Sequence, residues 1–252
     1  WAEHARSNLV YRDGNLEELV RIYRMLTTNW AEGGSPGRSA AARLGLADAL
    51  NALGRAKEAE REARIAAGEH HRLGIYYYEA RSWETVGIAQ SYQGKPELAV
   101  ASYRKAAEVA QAAGEWTALA NIRVNEASLQ RVWGQYAEAQ QLLARTREEA
   151  PATLTPIAAG RMELLDGELS LARGDAAAGL RAARAAEDQF VAARAPVWMG
   201  TAHALRGRVL AGLGLHAEAY ASFRKALNLT PGKNVPVRVA RVLIDLAALY
   251  EK

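Results

Sequence analysis

The sequence contains no cysteine, which excludes disulfide bonds and thiolate metal sites. Only 7% of its residues are aromatic although half are hydrophobic, so much of the apolar content is alanine and leucine. This composition favours close-packed helices over a sheet core, because a sheet draws on β-branched and aromatic side chains. Proline is also scarce, with seven among 252 residues. These deficits predict an all-α protein.

Long apolar runs are also missing. No stretch approaches the roughly 18 apolar residues that a membrane-spanning helix needs, and no signal-peptide pattern is present. The most apolar helical stretch, 235–250, is interrupted by Arg238, Arg241 and Asp245. We therefore expect a cytoplasmic chain without membrane contact. Because it begins at Trp1 inside a predicted helix, we also expect it to be part of a longer protein.

Charge of one sign is not concentrated anywhere in the chain. The formal net charge is +4, both signs are interspersed, and no run of five like charges occurs. Scattered charge is typical of solvated helix faces, whereas nucleic-acid binding is indicated by a basic patch or stripe. We expect no direct contact between this region and nucleic acid.

The sequence does contain one strong pattern, a strict repeat with a period of forty residues. Glycines recur at Gly14, Gly54, Gly94, Gly134, Gly174 and Gly214. Glycine ends helices readily in a left-handed conformation, so each one is expected to mark a turn between two helices. A strict period indicates one supersecondary unit stacked on copies of itself. The sequence therefore predicts a single solenoid over residues 1–252 with six helix-pair repeats.

Other positions of the same forty-residue frame indicate close helix packing. The position seven residues before each turn holds only small residues, namely Ser7, Ala47, Gly87, Ala127, Gly167 and Gly207. Glycine inside a helix costs about 1 kcal/mol relative to alanine, so three glycines at one position indicate contact between the helices of a pair. Each repeat is predicted as two helices of about 17 residues. A further helix, 235–251, either caps the last pair or begins a seventh repeat.

Two stretches carry a recognisable signature. One runs Gly94-Lys-Pro-Glu-Leu-Ala99 and then Tyr103-Arg-Lys-Ala106; the other runs Gly214-Leu-His-Ala-Glu-Ala219 and then Phe223-Arg-Lys-Ala226. Both resemble the tetratricopeptide repeat, and the register extends this resemblance over essentially the whole chain. The period is longer than the usual 34 residues of that family. Forty-residue variants resemble the sensor and scaffold domains of large bacterial transcription regulators, peptide-pheromone receptors and kinesin light chains.

The resemblance implies a right-handed superhelical solenoid whose first helices line a concave groove for peptides or partner proteins. Helical spacing then predicts an exposed polar stripe on the first helices. Asparagine amides can hold an extended backbone, and arginines can bind carboxylates bidentately. The candidate ligand-binding residues are Asn8, Tyr11, Asp48, Asn51, Arg81, Glu84, Ser91, Asn121, Ser128, Arg131, Glu168 and Arg208. The alternative is that this stripe is merely the solvated side of amphipathic helices.

Three other residue clusters give little evidence of a functional site. The loop Gly33-Gly-Ser-Pro-Gly-Arg-Ser39 lacks the spacing and the lysine of a phosphate-binding loop. In Glu69-His70-His71 the adjacent residues point to different helix faces, which does not suit a metal site. The run Tyr76-Tyr77-Tyr78 opens a helix and is a candidate for an accessory contact. We expect no catalytic residue, no metal and no cofactor, and therefore no enzyme.

The leading hypothesis is a protein- or peptide-binding scaffold that serves as the sensor or partner-docking domain of a bacterial transcriptional or signalling regulator. Its partner is expected to be a peptide or protein segment in the groove. The alternative is a small-molecule or oligosaccharide effector site in the same groove. In that case Trp1, Tyr11, Trp83 or Tyr92 would stack on the ligand.

Overall fold

The computed structural model describes residues 15–149, 154–229 and 236–250, with backbone only for 236–238 and 250. Every regular element within these ranges is an α-helix, which confirms the predicted all-α class. The expected turn at Gly14 and the groove candidates Asn8 and Tyr11 lie outside the described residues, as do Trp1 and Ser7.

The chain divides into two compact units, residues 1–133 and 134–252. The described helices of the first unit are α1 (Leu16–Glu32), α2 (Pro36–Ala52), α3 (Ala56–Arg72), α4 (Tyr76–Tyr92), α5 (Pro96–Ala112) and α6 (Trp116–Val132). Those of the second unit are α7 (Tyr136–Glu149), α8 (Pro156–Ala172), α9 (Ala176–Ala192), α10 (Pro196–Gly212), α11 (His216–Leu229) and α12 (Pro236–Tyr250). Even-numbered helices are the first helices of the repeats, and odd-numbered helices are the second.

Helix starts follow familiar local chemistry. Proline occupies the first turn of α2, α5, α8 and α10, where its missing N–H is not needed. Asn15 and Asp175 cap α1 and α9 by accepting the backbone N–H groups of Glu18 and Ala178. Capping and proline therefore fix several boundaries that the repeat period alone predicts only approximately.

The turns of the forty-residue frame require a left-handed backbone. Five of the six glycines are described, and each lies between two helices with φ between 70° and 77°; they are Gly54, Gly94, Gly134, Gly174 and Gly214. Such a φ is strained for residues with a side chain. The intervening turns of the first unit use glycine in the same way. In the second unit Arg194 takes that place, with φ 51°.

Close packing of the helices accounts for the small residues inside them. A Cβ atom added at Gly87 would lie 2.7 Å from the ring of Tyr103, and one at Gly207 would lie 2.6 Å from the ring of Phe223. In both cases the ring belongs to the second helix of the same repeat, as predicted. A Cβ at Gly167 would also meet the second helix of its own repeat, at 3.2 Å from Ala182 Cβ, but its nearest neighbour is Leu205 of the next first helix, at 2.6 Å.

First helices and second helices differ in their contacts with the next repeat. Within each unit, first helices of successive repeats contact one another: α2 with α4, α4 with α6, α8 with α10 and α10 with α12. Among the described residues, the backbones of second helices of successive repeats do not approach one another in this way, although Arg24 of α1 forms an ion pair with Glu58 of α3 at 3.2 Å. The first helices are therefore the crowded inner layer of each unit, and the second helices spread apart on the outer side. Each unit is a stack of helix pairs, which is the architecture of an α-solenoid.

Candidate functional site

The inner face of the first unit carries a pocket of about 640 Å³. Helices α1, α2 and α4 supply its wall, which consists of Tyr23, Trp30, Arg38, Ala41, Ala42, Leu44, Gly45, Asp48, Tyr77, Tyr78 and Arg81. Two of the predicted groove residues, Asp48 and Arg81, are thus brought together with four aromatic rings. A concave, largely apolar site with a few polar groups is typical of ligand binding.

Asp48 is the acidic group of this pocket. Thr85 Oγ1 donates to Asp48 Oδ1 at 2.9 Å, and Arg81 Nη2 lies 3.9 Å from Oδ2. Although 45% of the Asp48 side chain is accessible to water, protein surrounds it within the concave wall. This loss of surrounding water raises the pKa of Asp48 above its ordinary value, and Arg81 and Thr85 only partly offset the effect.

Arg81 joins the pocket to a buried carboxylate behind it. Its Nη1 atom lies 3.3 Å from Glu84 Oε2, and Asn125 of α6 donates to Glu84 Oε1 at 2.7 Å. Two carboxylates therefore surround Arg81. Arg38, in contrast, is exposed and has no ion-pair partner in the part of the chain that the structure describes. It is the cationic group of the pocket that remains available to an anion.

The expectation of exposure is not met at two of the candidates. Asn51 is 7% exposed and donates to the backbone carbonyl of Thr85 at 3.4 Å; Glu84 is 3% exposed. Both side chains lie on the flank where one first helix contacts the next, so the following repeat covers them. Their polar character serves contacts between successive first helices instead of an open groove.

The remaining candidates are partly accessible. Ser91, Asn121, Ser128 and Arg131 are half-buried, and Ser91 donates to the carbonyl of Ile88 in its own helix at 2.7 Å. In the second unit Arg208 binds both Glu168 at 3.1 Å and Asp245 at 3.4 Å. These last residues again connect successive first helices, α8, α10 and α12.

Several pocket residues were not among the predicted groove residues. Tyr23 and Trp30 come from the second helix α1, whereas the predicted stripe was confined to first helices. Tyr77 and Tyr78 open α4, and the tyrosine run was the one signal in the sequence that singled them out. Their rings meet edge to face with centroids 5.2 Å apart. The aromatic part of the wall therefore comes from helix ends and a second helix.

The described ranges contain neither a cluster of metal-ligating side chains nor a membrane-spanning helix. No group of three or more histidine, aspartate or glutamate side chains in them is placed to hold a metal ion. Likewise, no helix there is both long enough and apolar enough to cross a bilayer.

The stacked helix pairs define the class of protein as an α-solenoid, and comparison with known families makes this more specific. The tetratricopeptide-repeat family model matches residues 80–112 and 200–233. These are the two stretches whose signature the sequence showed, so the resemblance to the tetratricopeptide repeat is confirmed. No curated protein matches the chain in sequence.

Solved structures share this fold at low sequence identity. BtubC from P. vanneervenii is 15% identical with a TM-score of 0.65, over 85% of this chain and 90% of that one. NprR in complex with its cognate peptide NprX is 13% identical with a TM-score of 0.69, over 99% and 75%. The apo form of the quorum sensor NprR from B. thuringiensis is 13% identical with a TM-score of 0.67, over 96% and 68%. The chain is similar to these proteins in fold.

Proposed function

We propose that the chain is a binding scaffold, not an enzyme, and that the inner-face pocket of its first unit binds a peptide or protein segment. The observation that carries this proposal is the pocket of about 640 Å³ in which Asp48, Arg81 and four aromatic rings converge. The fold of the chain resembles that of NprR, a quorum sensor that binds its cognate peptide NprX. That likeness supports the finer role, the sensor or partner-docking domain of a transcriptional or signalling regulator.

The chemistry of the wall suits a peptide. The rings of Trp30 and Tyr77 offer apolar surface for a side chain, and Arg38 offers a cation to a carboxylate or a backbone carbonyl. Asp48 accepts hydrogen bonds from backbone N–H groups or from a basic side chain. The same aromatic wall also favours the alternative, a small-molecule effector, since pockets for such ligands have volumes of about 300–1,000 Å³.

The test is selection of peptides on the immobilised chain from a phage-displayed library of random 12-residue peptides. Selected peptides are then titrated against the double variant Asp48→Ala/Tyr77→Ala, which removes accessible polar and aromatic parts of the pocket. A matched variant, Lys57→Ala/Ile65→Ala, alters two exposed residues of the second helix α3. We expect the pocket variant to lose at least about tenfold in affinity, or about 1.4 kcal/mol, and the α3 variant to bind normally.

Two outcomes would count against the proposal. Selected peptides that bind the pocket variant at full strength would move the site away from the inner face. A library that yields no binder, together with tight binding of an aromatic small molecule that the pocket variant loses, would favour the effector alternative.

A further inference from the structure

A second pocket lies at the edge of the first unit, where α3 ends, α4 begins and α5 ends. Its volume is about 380 Å³, and its wall consists of His71, Tyr76, Glu79, Val109, Ala112 and Ala113. It shares no wall residue with the inner-face pocket. Whatever binds here therefore does not depend on the function proposed above.

The polar group in this wall is an unusual carboxylate. Glu79 is only 4% exposed, and burying a carboxylate without a cationic partner is costly. In the forty-residue frame the same position is never charged in the other described repeats, where it holds Ser39, Leu119, Ala159, Met199 and Val239. The fold of the repeat does not require an acid at this position, so Glu79 calls for another explanation.

Glu79 has no permanent cation beside it. His71 Nδ1 lies 3.1 Å from both carboxylate oxygens, but histidine is not a permanent cation, and 70% of this side chain is exposed. Across the described ranges, no lysine or arginine forms an ion pair with Glu79. The partner of Glu79 in the described ranges is therefore an exposed ring that an incoming cation can replace.

The end of α5 adds negative potential to the same place. The carboxyl end of a helix carries partial negative charge on its free carbonyl groups, and basic residues in the last turn usually offset it. The last turn of α5 has no basic residue, and Ala112 with the capping residue Ala113 forms part of the pocket wall. Glu79 and this helix end both favour a positive charge in the pocket.

The rest of the wall fits an apolar stem and a flat cation. Val109, Ala112 and Ala113 present methyl groups, and the ring of Tyr76 is 52% exposed. Long basic side chains bury their methylene stems along apolar surface, and guanidinium groups stack on aromatic rings. A guanidinium also binds a carboxylate through two parallel hydrogen bonds.

We propose that this pocket binds an arginine side chain presented by a partner polypeptide. The guanidinium binds Glu79 and replaces His71, its plane stacks on Tyr76, and its methylene stem lies against Val109 and Ala112. The pocket thus forms a second docking point, at the edge of the repeat stack and separate from the inner face.

The probes are N-acetyl-arginine amide, which mimics the residue within a polypeptide, and N-acetyl-citrulline amide, which has nearly the same shape without the charge. Each is titrated into the isotopically labelled chain, and amide resonances are followed by NMR. We expect the arginine probe to shift the resonances of His71, Tyr76 and Ala112 in a saturable way, and the citrulline probe to bind at least tenfold more weakly. Equal binding of the two probes would overturn the proposal without any variant being made.

Two variants test whether the negative charge of Glu79 is what binds the arginine probe. Glu79→Gln keeps the shape of the side chain, and Glu97→Gln neutralises an exposed glutamate of α5 as a matched control. We expect a tenfold or greater loss of affinity in the first and no change in the second, with thermal melts verifying that both fold. Normal binding by a folded Glu79→Gln variant would overturn the assignment. So would free L-arginine binding more than tenfold tighter than the capped probe, since that indicates an amino-acid site.

Discussion

Two helical glycines of the first unit have opposite surroundings. A Cβ at Gly87 would meet the ring of Tyr103 at 2.7 Å, whereas a Cβ at Gly68 would have no atom within 4 Å. We therefore expect Gly87→Leu to overpack the helix pair and to lower the free energy of unfolding by about 1–3 kcal/mol. Gly68→Ala should raise it by up to about 1 kcal/mol, because alanine restricts the unfolded chain and favours the helix.

Urea unfolding of both variants and the parent chain measures the two changes. Because the two changes are expected to have opposite signs, each variant serves as a control for the other. A fold that is destabilised by any substitution would show a lower free energy of unfolding in both variants. A Gly87→Leu variant as stable as the parent chain would show that Tyr103 moves aside at no cost.

A buried histidine makes stability depend on pH. Burial lowers the pKa of His70, and the opposing effects of the Glu79 carboxylate and the Ala66 carbonyl do not cancel it. The unfolded chain therefore takes up a proton that the folded chain resists, below a pH of about 6.5. Stability is complete above that pH and falls as the pH decreases towards the lowered pKa, by at most about 1.4 kcal/mol per pH unit.

The variant His70→Phe isolates this contribution, because Phe190 occupies the corresponding position of another repeat. Between pH 7.5 and 5.5 the parent chain should lose more unfolding free energy than the variant does. His203, whose pKa is also lowered by burial, remains in both proteins, so its effect cancels in the difference. Identical pH dependence of the two proteins would contradict the assignment to His70.

At the scale of the helix, the sequence predicted where helices begin and end better than it predicted which side chains their neighbours bury. Turn glycines and initial prolines are local signals, so the positions of helix ends followed from the period and from backbone chemistry. The burial of Asn51 and Glu84 did not, because periodicity shows which residues share a face but not which flank the next repeat covers. Trp30 was missed for a related reason: it belongs to a second helix, and only the folded stack brings α1 to the edge of the inner face.

The last described helix has the apolar surface of a first helix, but among the described residues it contacts only the two preceding helices, α10 and α11. In α12 Val242 and Leu246 are buried, whereas Leu243 and Ile244 are 51% and 64% exposed. At the position of Ile244 the other described repeats carry Leu44, Glu84, Val124, Leu164 and Ala204, and all five are buried.

Matched substitutions distinguish the exposed position in α12 from the buried position in the other repeats. Ile244→Lys should change the free energy of unfolding by no more than about 0.5 kcal/mol, as exposed substitutions usually do. Leu164→Lys, at the same position of another repeat, should cost at least about 2 kcal/mol, because it empties a buried apolar site and introduces a charge. Thermal unfolding measures both, and a large loss in Ile244→Lys would show that other parts of the protein cover this surface.

Considered as a whole, the molecule has contacts of short range in sequence. Each described helix contacts only helices one or two places away in the chain. The hydrogen bond between Asn125 and Glu84, which connects two successive first helices, spans 41 residues. Chains whose contacts are local lose little entropy in bringing partners together, and they fold rapidly for that reason.

This locality also bears on how the protein is made. A repeat can pack as soon as the ribosome has released it and its immediate successor, since none of its described contacts waits for the far end of the chain. The surface exposed during synthesis is then limited to the most recently completed repeat. A chain rich in alanine and leucine, whose helices would otherwise stick to one another, can thus be assembled in order, one repeat at a time.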